Sequence, residues 1–185
     1  MDKSIKKLTH QEILQSKPSV DTVRQKKRMP LVLVLDGLRS LYNVGSIFRS
    51  ADAILVEKIF LCGITGCPPN KEIEKVALGA VEVVPFEYFE KTIDCLDSLK
   101  KQGYQIIALE LTEKSERYNQ ARYEFPCALI LGNEVDGVAD EVMTRVDRAV
   151  DIPMLGRANS LNVATAMAVV GYEVFAQWEE NLNTK

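Results

Sequence analysis

The amino-acid sequence predicts an α/β fold with a mostly parallel sheet of about six strands and helices on both faces. Two uninterrupted apolar runs, 31–35 and 127–131, have the continuous hydrophobicity of strands that are buried on both sides. Strand-like and helical patterns alternate along most of the chain, as they do in parallel sheets. The chain has 185 residues, 46% of them apolar, which is enough for one buried core and few for two. We therefore expect one domain over 30–185, preceded by a basic helical arm at 1–29.

Hydrophobic periodicity and turn residues place the individual elements. In chain order, the patterns predict a helix at 5–16, a strand at 31–35, a helix from residue 43, strands at 58–62 and 81–84, a helix at 88–101, strands at 104–109, 127–131 and 149–152, and a long final helix after residue 160. Pro18 ends the first helix, and Pro153 closes the last strand. Asn43 and Ser160 are the predicted N-caps of the helices that follow them.

The final helix has an unusual face. Small residues at Ala164, Ala168 and Gly171 permit a close backbone approach, and Phe175 and Trp178 make a fully exposed helix unfavourable. We expect this face to lie inside the fold or against another subunit.

Charge is unevenly distributed along the chain. Residues 1–28 carry eight Lys or Arg against three acids, a net charge of +5. Because the whole chain has a net charge of −3, the other 157 residues carry −8. A basic arm on an acidic body can attract a polyanion locally. The alternative is a solvated helix with an ordinary charged face.

Several classes of protein are disfavoured by composition. No segment approaches the roughly 18 consecutive apolar residues of a membrane span, and the first residues are charged, so we expect a cytoplasmic protein. The four cysteines lack the spacing of a zinc or redox site, which predicts reduced thiols and no bound metal. His10 is the only histidine, which disfavours hydrolases of the Ser-His-Asp type. Neither a GxGxxG nor a GxxxxGK[ST] phosphate loop is present.

Three short polar loops, 43–49, 132–137 and 160–162, follow predicted strands. Because ligands bind outside the carboxyl ends of parallel strands, we expect these loops to meet around a substrate. Arg49 is a permanent cation suited to a phosphate or an oxyanion, and Asn43 can both donate and accept a hydrogen bond.

Each loop also has an ordinary structural interpretation. Arg49 can pair with Asp52 on the helix surface. Glu134 can sit in a plain turn before the next helix, and Ser160 can act only as a helix cap. Capping by Ser160 leaves Asn162, a mediocre helix former, unexplained.

Taken together, the loops resemble a known family. The motifs are NVGSIFRSA at 43–51, LGNE at 131–134 with Gly137, and IPM at 152–154 with SLNV at 160–163. They closely resemble the three motifs of the SpoU-type RNA ribose 2'-O-methyltransferases of the SPOUT class, in family order, across about residues 30–175. The resemblance implies a C-terminal trefoil knot, S-adenosylmethionine as methyl donor, and an active site completed across a homodimer.

The resemblance also implies roles for individual residues. The implied catalytic residues are Asn43, Arg49, Glu134, Ser160 and Asn162. The implied cofactor-binding residues are Gly132, Ile152 and Leu161, with Leu109 and Glu110 in a loop that has no sharp motif. The segment 40–42 replaces a proline-containing approach common in the family, and Ala164 stands where the family often has Ser, so the departures from the family pattern concern local substrate contacts more than the chemistry.

The expected reaction is methyl transfer from a sulfonium to a ribose 2'-hydroxyl of a structured RNA, which needs alignment of the reacting atoms. Arg49 would hold the phosphate and the developing alkoxide, and the proton acceptor is either Glu134 or the RNA phosphate acting with Arg49. The basic arm would bind RNA through Arg24, Lys26, Lys27 and Arg28. With recognition left to the arm and the dimer surface, a tRNA is slightly favoured over an rRNA. The alternative is a non-catalytic RNA-binding or assembly protein that retains the fold.

Overall fold

The computed structural model describes residues 5–183 and contains one parallel sheet of seven strands. The strands are β1 (Met29–Asp36), β2 (Val56–Cys62), β3 (Phe86–Phe89), β4 (Gln105–Leu109), β5 (Glu116–Arg117), β6 (Cys127–Leu131) and β7 (Arg148–Asp151). Their order in the sheet is β3-β2-β1-β6-β4-β7-β5, and every pair of neighbours is parallel. The two continuous apolar runs lie in β1 and β6, next to each other at the centre, as strands buried on both faces must.

Helices cover both faces of this sheet, as predicted. Over residues 5–183 they are α1 (His10–Ser16), α2 (Val20–Arg24), α3 (Leu41–Ala53), α4 (Lys71–Ala77), α5 (Ala80–Val83), α6 (Thr92–Lys101), α7 (Asp140–Met143) and α8 (Val163–Asn183). Leu31, Leu33 and Leu35 of β1 share one core with α3, α4 and α8. Val32 and Val34, which alternate with them, share a second core with α6 and α7.

The prediction of a strand at 81–84 is wrong. Those residues form α5 and its C-cap Val84, and the strand comes later, at Phe86–Phe89, where it overlaps the start of the segment predicted as helix. Pro85 explains the change, because a residue before proline avoids the helical region and Val84 is extended. The carbonyl of Pro85 then accepts from the amide of Ile59, which begins the pairing of β3 with β2.

The two predicted N-caps are also displaced. Ser40 caps α3, where its hydroxyl accepts from the amide of Asn43 at 3.2 Å. At the start of α8 the side chain of Asn162 accepts from the amide of Ala164 at 3.0 Å. The close approach predicted for the final helix is present at Gly171, where an added Cβ would lie 3.0 Å from the Cδ1 of Ile54.

The first helix is shorter than the predicted 5–16, because α1 begins at His10, after a capping box formed by Thr9 and Glu12. The first four residues of the predicted arm, including Lys3, and the last two of the predicted domain lie outside the described residues. None of the helices described is long and apolar enough to cross a membrane. The four cysteines are free, and no cluster of potential metal ligands occurs within residues 5–183.

Candidate functional site

A cleft of about 930 Å³ opens at the carboxyl ends of β4, β6 and β7. Three segments line it: residues 109–111 after β4, residues 131–137 around the end of β6, and most of the stretch from 151 to 163 between β7 and α8. The predicted site residues that line it are Leu109, Glu110, Gly132, Glu134, Ile152, Ser160, Leu161 and Asn162. The expectation that the second and third motif loops meet is therefore fulfilled.

The first motif joins this cleft through a chain of side-chain hydrogen bonds, which we call the amide latch: Glu134, Asn43 and Asn162. The side-chain Nδ2 of Asn43 donates to Oε1 of Glu134 at 3.0 Å. The side-chain Oδ1 of Asn43 accepts from Nδ2 of Asn162 at 2.9 Å. Asn43 is only 5% exposed, so both of these bonds replace water that the side chain has lost. The amide latch thus ties α3 to both loops of the cleft.

Glu134 is held as an anion by the amino end of α3. Its Oε1 accepts from the backbone amide of Ser40 at 3.1 Å, and its Oε2 accepts from that of Arg39 at 3.2 Å. Burial alone would raise the pKa of this carboxyl, but hydrogen bonds from Asn43 and from backbone amides outweigh burial and hold the pKa below its ordinary value. The unpaired amides of a helix start favour an anion in the same way.

The turn that carries Glu134 admits no side chain at its base. Asn133 and Gly137 exchange two backbone hydrogen bonds of 2.9 and 3.0 Å, and the side chain of Asn133 donates to the carbonyl of Gly37 at 2.8 Å. A Cβ on Gly132 would lie 2.2 Å from backbone atoms of Gly137 and Val138. Glycine at 132 therefore lets the turn fold directly onto the end of β6.

The opposite wall of the cleft is more apolar and more open. Leu109 and Ile152 are half-buried, and Leu161 is exposed. Leu155, in the same connection between β7 and α8, is 96% exposed. Such a surface suits the apolar part of a small ligand, with Ser160 exposed beside it.

Arg49 stands apart from the cleft. It follows Asn43 by six positions on α3, which places it about 120° around the helix and about 9 Å along its axis. Its side chain is exposed and makes no hydrogen bond or ion pair with any residue between 5 and 183. The alternative pairing with Asp52 is absent. Burial raises the pKa of Asp52. The positive charges of Arg28, Lys17 and Lys26 act to lower it but do not outweigh burial.

The arm packs partly on the domain. Arg24 donates to the carbonyl of Glu82 at 3.1 and 2.8 Å. Arg28 donates to the carbonyl of Val56 at 2.9 Å and also to that of Val83. Lys26 and Lys27 are exposed. Of the four residues predicted to contact RNA, two are thus engaged with backbone carbonyls and two point to solvent.

Sequence reasoning missed the backbone amides of Arg39 and Ser40 and the structural role of Asn133. A serine three residues before Asn43 was an available signal for a helix cap, since the N-cap side chain accepts from the amide three positions on. Nothing local indicates that Glu134 meets that same helix end.

The comparisons with known proteins agree with the fold. The model of the SpoU rRNA methylase family matches residues 30–172. A Staphylococcus saprophyticus protein assigned to the TrmH family of tRNA/rRNA methyltransferases is 32% identical over 148 residues, or 80% of this chain. The chain spans only 59% of that relative. A tRNA (guanosine(18)-2'-O)-methyltransferase of Aquifex aeolicus is 31% identical over 85% of the chain and 74% of its own length.

Solved structures give the same assignment. The crystal structure of the A. aeolicus TrmH/SpoU tRNA modifying enzyme superposes with a TM-score of 0.79, at 30% identity, over 88% of this chain and 83% of that one. An AdoMet-bound rRNA methyltransferase from Sinorhizobium meliloti gives 0.74, at 30% identity, over 85% and 59%. The resemblance seen in the three motifs is confirmed, and the chain belongs to the SpoU rRNA methylase family.

Proposed function

We propose that this chain transfers a methyl group from S-adenosylmethionine to a ribose 2'-hydroxyl of a structured RNA, with a tRNA favoured over an rRNA. The observation that carries the proposal is the cleft in which the second and third motifs meet, joined to the first motif by the amide latch. Relatives of similar fold add support, since one is named for tRNA ribose methylation and another is described with AdoMet bound.

The cleft fits the proposed cofactor in size and chemistry. Its volume of about 930 Å³ is at the upper end of ordinary ligand pockets. Leu109, Ile152 and Leu161 offer apolar contacts to the adenosine part, and Gly132, which has no side chain, offers backbone groups. When bound there, the cofactor would supply an activated methyl group on a sulfonium.

Arg49 is proposed to bind the RNA phosphate and to stabilise the developing alkoxide. It does not line the cleft of its own chain, so the proposal includes a homodimer in which α3 of one copy faces the cleft of the other. Support comes from large exposed side chains on the two helices that would meet: Tyr42 on α3 is 67% exposed and Tyr172 on α8 is 52% exposed.

The proposal also includes the C-terminal knot. β6 inserts between β1 and β4, the chain continues to β7 on the far side of β4, and α8 then returns to share a core with α3. A return of this kind past earlier segments is what a threaded chain requires.

Glu134 is a poor candidate for the proton acceptor. Its carboxylate already accepts three hydrogen bonds, and its lowered pKa makes it a weak base. We therefore favour the RNA phosphate, held by Arg49, and assign Glu134, Asn43 and Asn162 to positioning the loops.

The test combines cofactor binding with methyl transfer. Calorimetry on the wild-type protein should detect S-adenosylmethionine binding, and tritium transfer to tRNA and rRNA transcripts, followed by nucleoside mass spectrometry, should detect 2'-O-methylation. Arg49→Ala should abolish turnover and retain cofactor affinity. Arg122→Ala, an exposed arginine away from the cleft, is the matched control.

Near wild-type transfer by Arg49→Ala would refute the role of that residue. Absence of cofactor binding by the wild-type protein would refute the proposed function. Cofactor binding without any missing ribose methyl in RNA from a deletion strain would favour the non-catalytic alternative.

A further inference from the structure

We propose that Glu110 is a positioning residue of the cofactor cleft, whose carboxylate fastens the turn at 132–138 to the end of β4. The inference rests on the proposed function. It also revises the sequence-based expectation, which placed Glu110 among the residues that contact the cofactor directly.

The carboxylate of Glu110 bridges two loops of the cleft. Its Oε1 accepts from the backbone amide of Leu111 at 3.0 Å, and its Oε2 accepts from that of Val138 at 3.0 Å. Because two donors converge on it, the bridge needs two acceptor oxygens at this distance from the backbone. A glutamate side chain supplies two such oxygens, whereas glutamine has one acceptor oxygen and aspartate is one carbon shorter.

The packing around this bridge leaves no slack. The peptide between Gly137 and Val138 lies between Gly132 on one side and Glu110 on the other. A Cβ on Gly132 would meet this peptide at 2.2 Å, and a Cβ on Gly137 would meet Oε2 of Glu110 at 2.3 Å. Gly137 also has a φ of +70°, which favours glycine. The turn is therefore held from both sides. We call this arrangement of Glu110, Gly132 and the peptide between Gly137 and Val138 the clamp.

The backbone of Glu110 is itself bonded to the sheet. The backbone amide of Glu110 donates to the carbonyl of Val150 at 3.0 Å, which extends the pairing of β4 with β7. Movement of the turn relative to Glu110 would therefore change the width of the cleft, since residues 109–111 and 131–137 form two of its walls. The same turn carries Glu134 of the amide latch.

A direct ligand role makes a different prediction, because a carboxylate that faces the sulfonium would discriminate by charge. S-adenosylhomocysteine has the shape of the cofactor but a neutral sulfur. Loss of a positioning residue should weaken both molecules equally, whereas loss of a charge partner should weaken S-adenosylmethionine alone.

The first test is Glu110→Gln, which preserves shape and removes one acceptor and the charge. We expect the Kd of both molecules, measured by calorimetry, to rise about tenfold, the effect of losing one charge-assisted hydrogen bond. The KM for the cofactor should rise with it, while kcat at saturating cofactor stays within about twofold, again because only positioning is lost. Glu113→Gln, an exposed neighbour outside the cleft, is the control and should change neither value.

The second test is a coupling between Glu110 and Gly137. Gly137→Ala should weaken both molecules as Glu110→Gln does, because its Cβ displaces the carboxylate. Glu110→Ala removes the atom that this Cβ meets, so the double variant should lose less affinity than the product of the two single losses. If the affinity losses of the two single variants simply multiply in the double variant, the proposed clamp is wrong.

Hydrogen exchange without cofactor separates the two proposals. Exchange of the Val138 amide should accelerate at least about tenfold in Glu110→Gln, because that amide loses its acceptor. If the wild-type protein binds no cofactor, the proposed function fails while this measurement still tests the clamp. Unchanged exchange at Val138, or weakening of S-adenosylmethionine alone, would overturn the inference.

Discussion

The Gly132→Ala variant tests whether the turn of the cleft is as tightly packed as the structure indicates. The added methyl carbon would lie 2.2 Å from the carbonyl carbon of Gly137 and 2.2 Å from the nitrogen of Val138, whereas ordinary contacts begin at 3.4 Å. The overlap is with backbone, which cannot rotate away as a side chain can. The turn itself is held by two hydrogen bonds between Asn133 and Gly137.

Overpacking of this kind typically costs about 1–3 kcal/mol of unfolding free energy. Because the displaced atoms belong to a turn held by hydrogen bonds on both sides, we expect about 3 kcal/mol for Gly132→Ala. For a chain of this size that corresponds to a fall in Tm of about 6–12 °C. We also expect at least about tenfold weaker cofactor binding, since the turn forms a wall of the cleft.

Thermal and urea denaturation measure the stability change, and calorimetry measures cofactor affinity. Gly156→Ala is the matched control for stability, because Gly156 has no atom within 4 Å of its added Cβ and no left-handed φ. Its Tm should stay level or rise slightly, as the unfolded chain loses entropy. Wild-type Tm and cofactor affinity in Gly132→Ala would refute the close packing of the turn.

Three further predictions follow from charge. In Glu134→Gln the loss of stability should depend on pH: the native pKa of Glu134 is lowered, so its contribution is complete above the unfolded value of about 4.3 and disappears as pH falls through the native pKa. Denaturation curves between about pH 3 and 7 should show the gap to wild type closing in acid, and a gap independent of pH would contradict this assignment. Replacing Lys26 and Lys27 by Gln should weaken RNA binding and reduce its salt slope by about one unit for each phosphate that the arm no longer neutralises, with Tm unchanged. Arg28→Gln should lower Tm instead, because its guanidinium binds two backbone carbonyls, and an unchanged salt slope in the lysine variant would remove the arm from RNA recognition.

Much of the fold follows from local pattern. The runs at 31–35 and 127–131 are apolar without alternation, and only a strand covered on both faces buries every residue of such a run. Both lie at the centre of the sheet, as β1 and β6. The error at 81–84 arose because Val81, Val83 and Val84 favour strands locally, whereas α5 takes up Val81 and Val83 and Pro85 keeps Val84 from continuing it.

Most of the predicted site residues line the cleft or join it through the amide latch, but Arg49 does not, and the partners of these residues were not predictable. Polar residues after buried strands marked the right loops, because parallel strands bring their carboxyl ends to one edge. The cap roles went to Ser40 and Asn162 rather than to Asn43 and Ser160. Because Ser40 caps α3, both polar atoms of the Asn43 side chain take part in the amide latch.

By itself, the sequence determined the class of fold, the family and the chemical groups brought to the cleft, since apolar runs and short motifs are local properties. Only the tertiary structure decided what those groups do. Asn43 meets Glu134 across 91 positions of chain and Asn162 across 119. Glu110 closes on Val138 across 28. Such pairings depend on the order of strands in the sheet, which no stretch of neighbouring residues specifies.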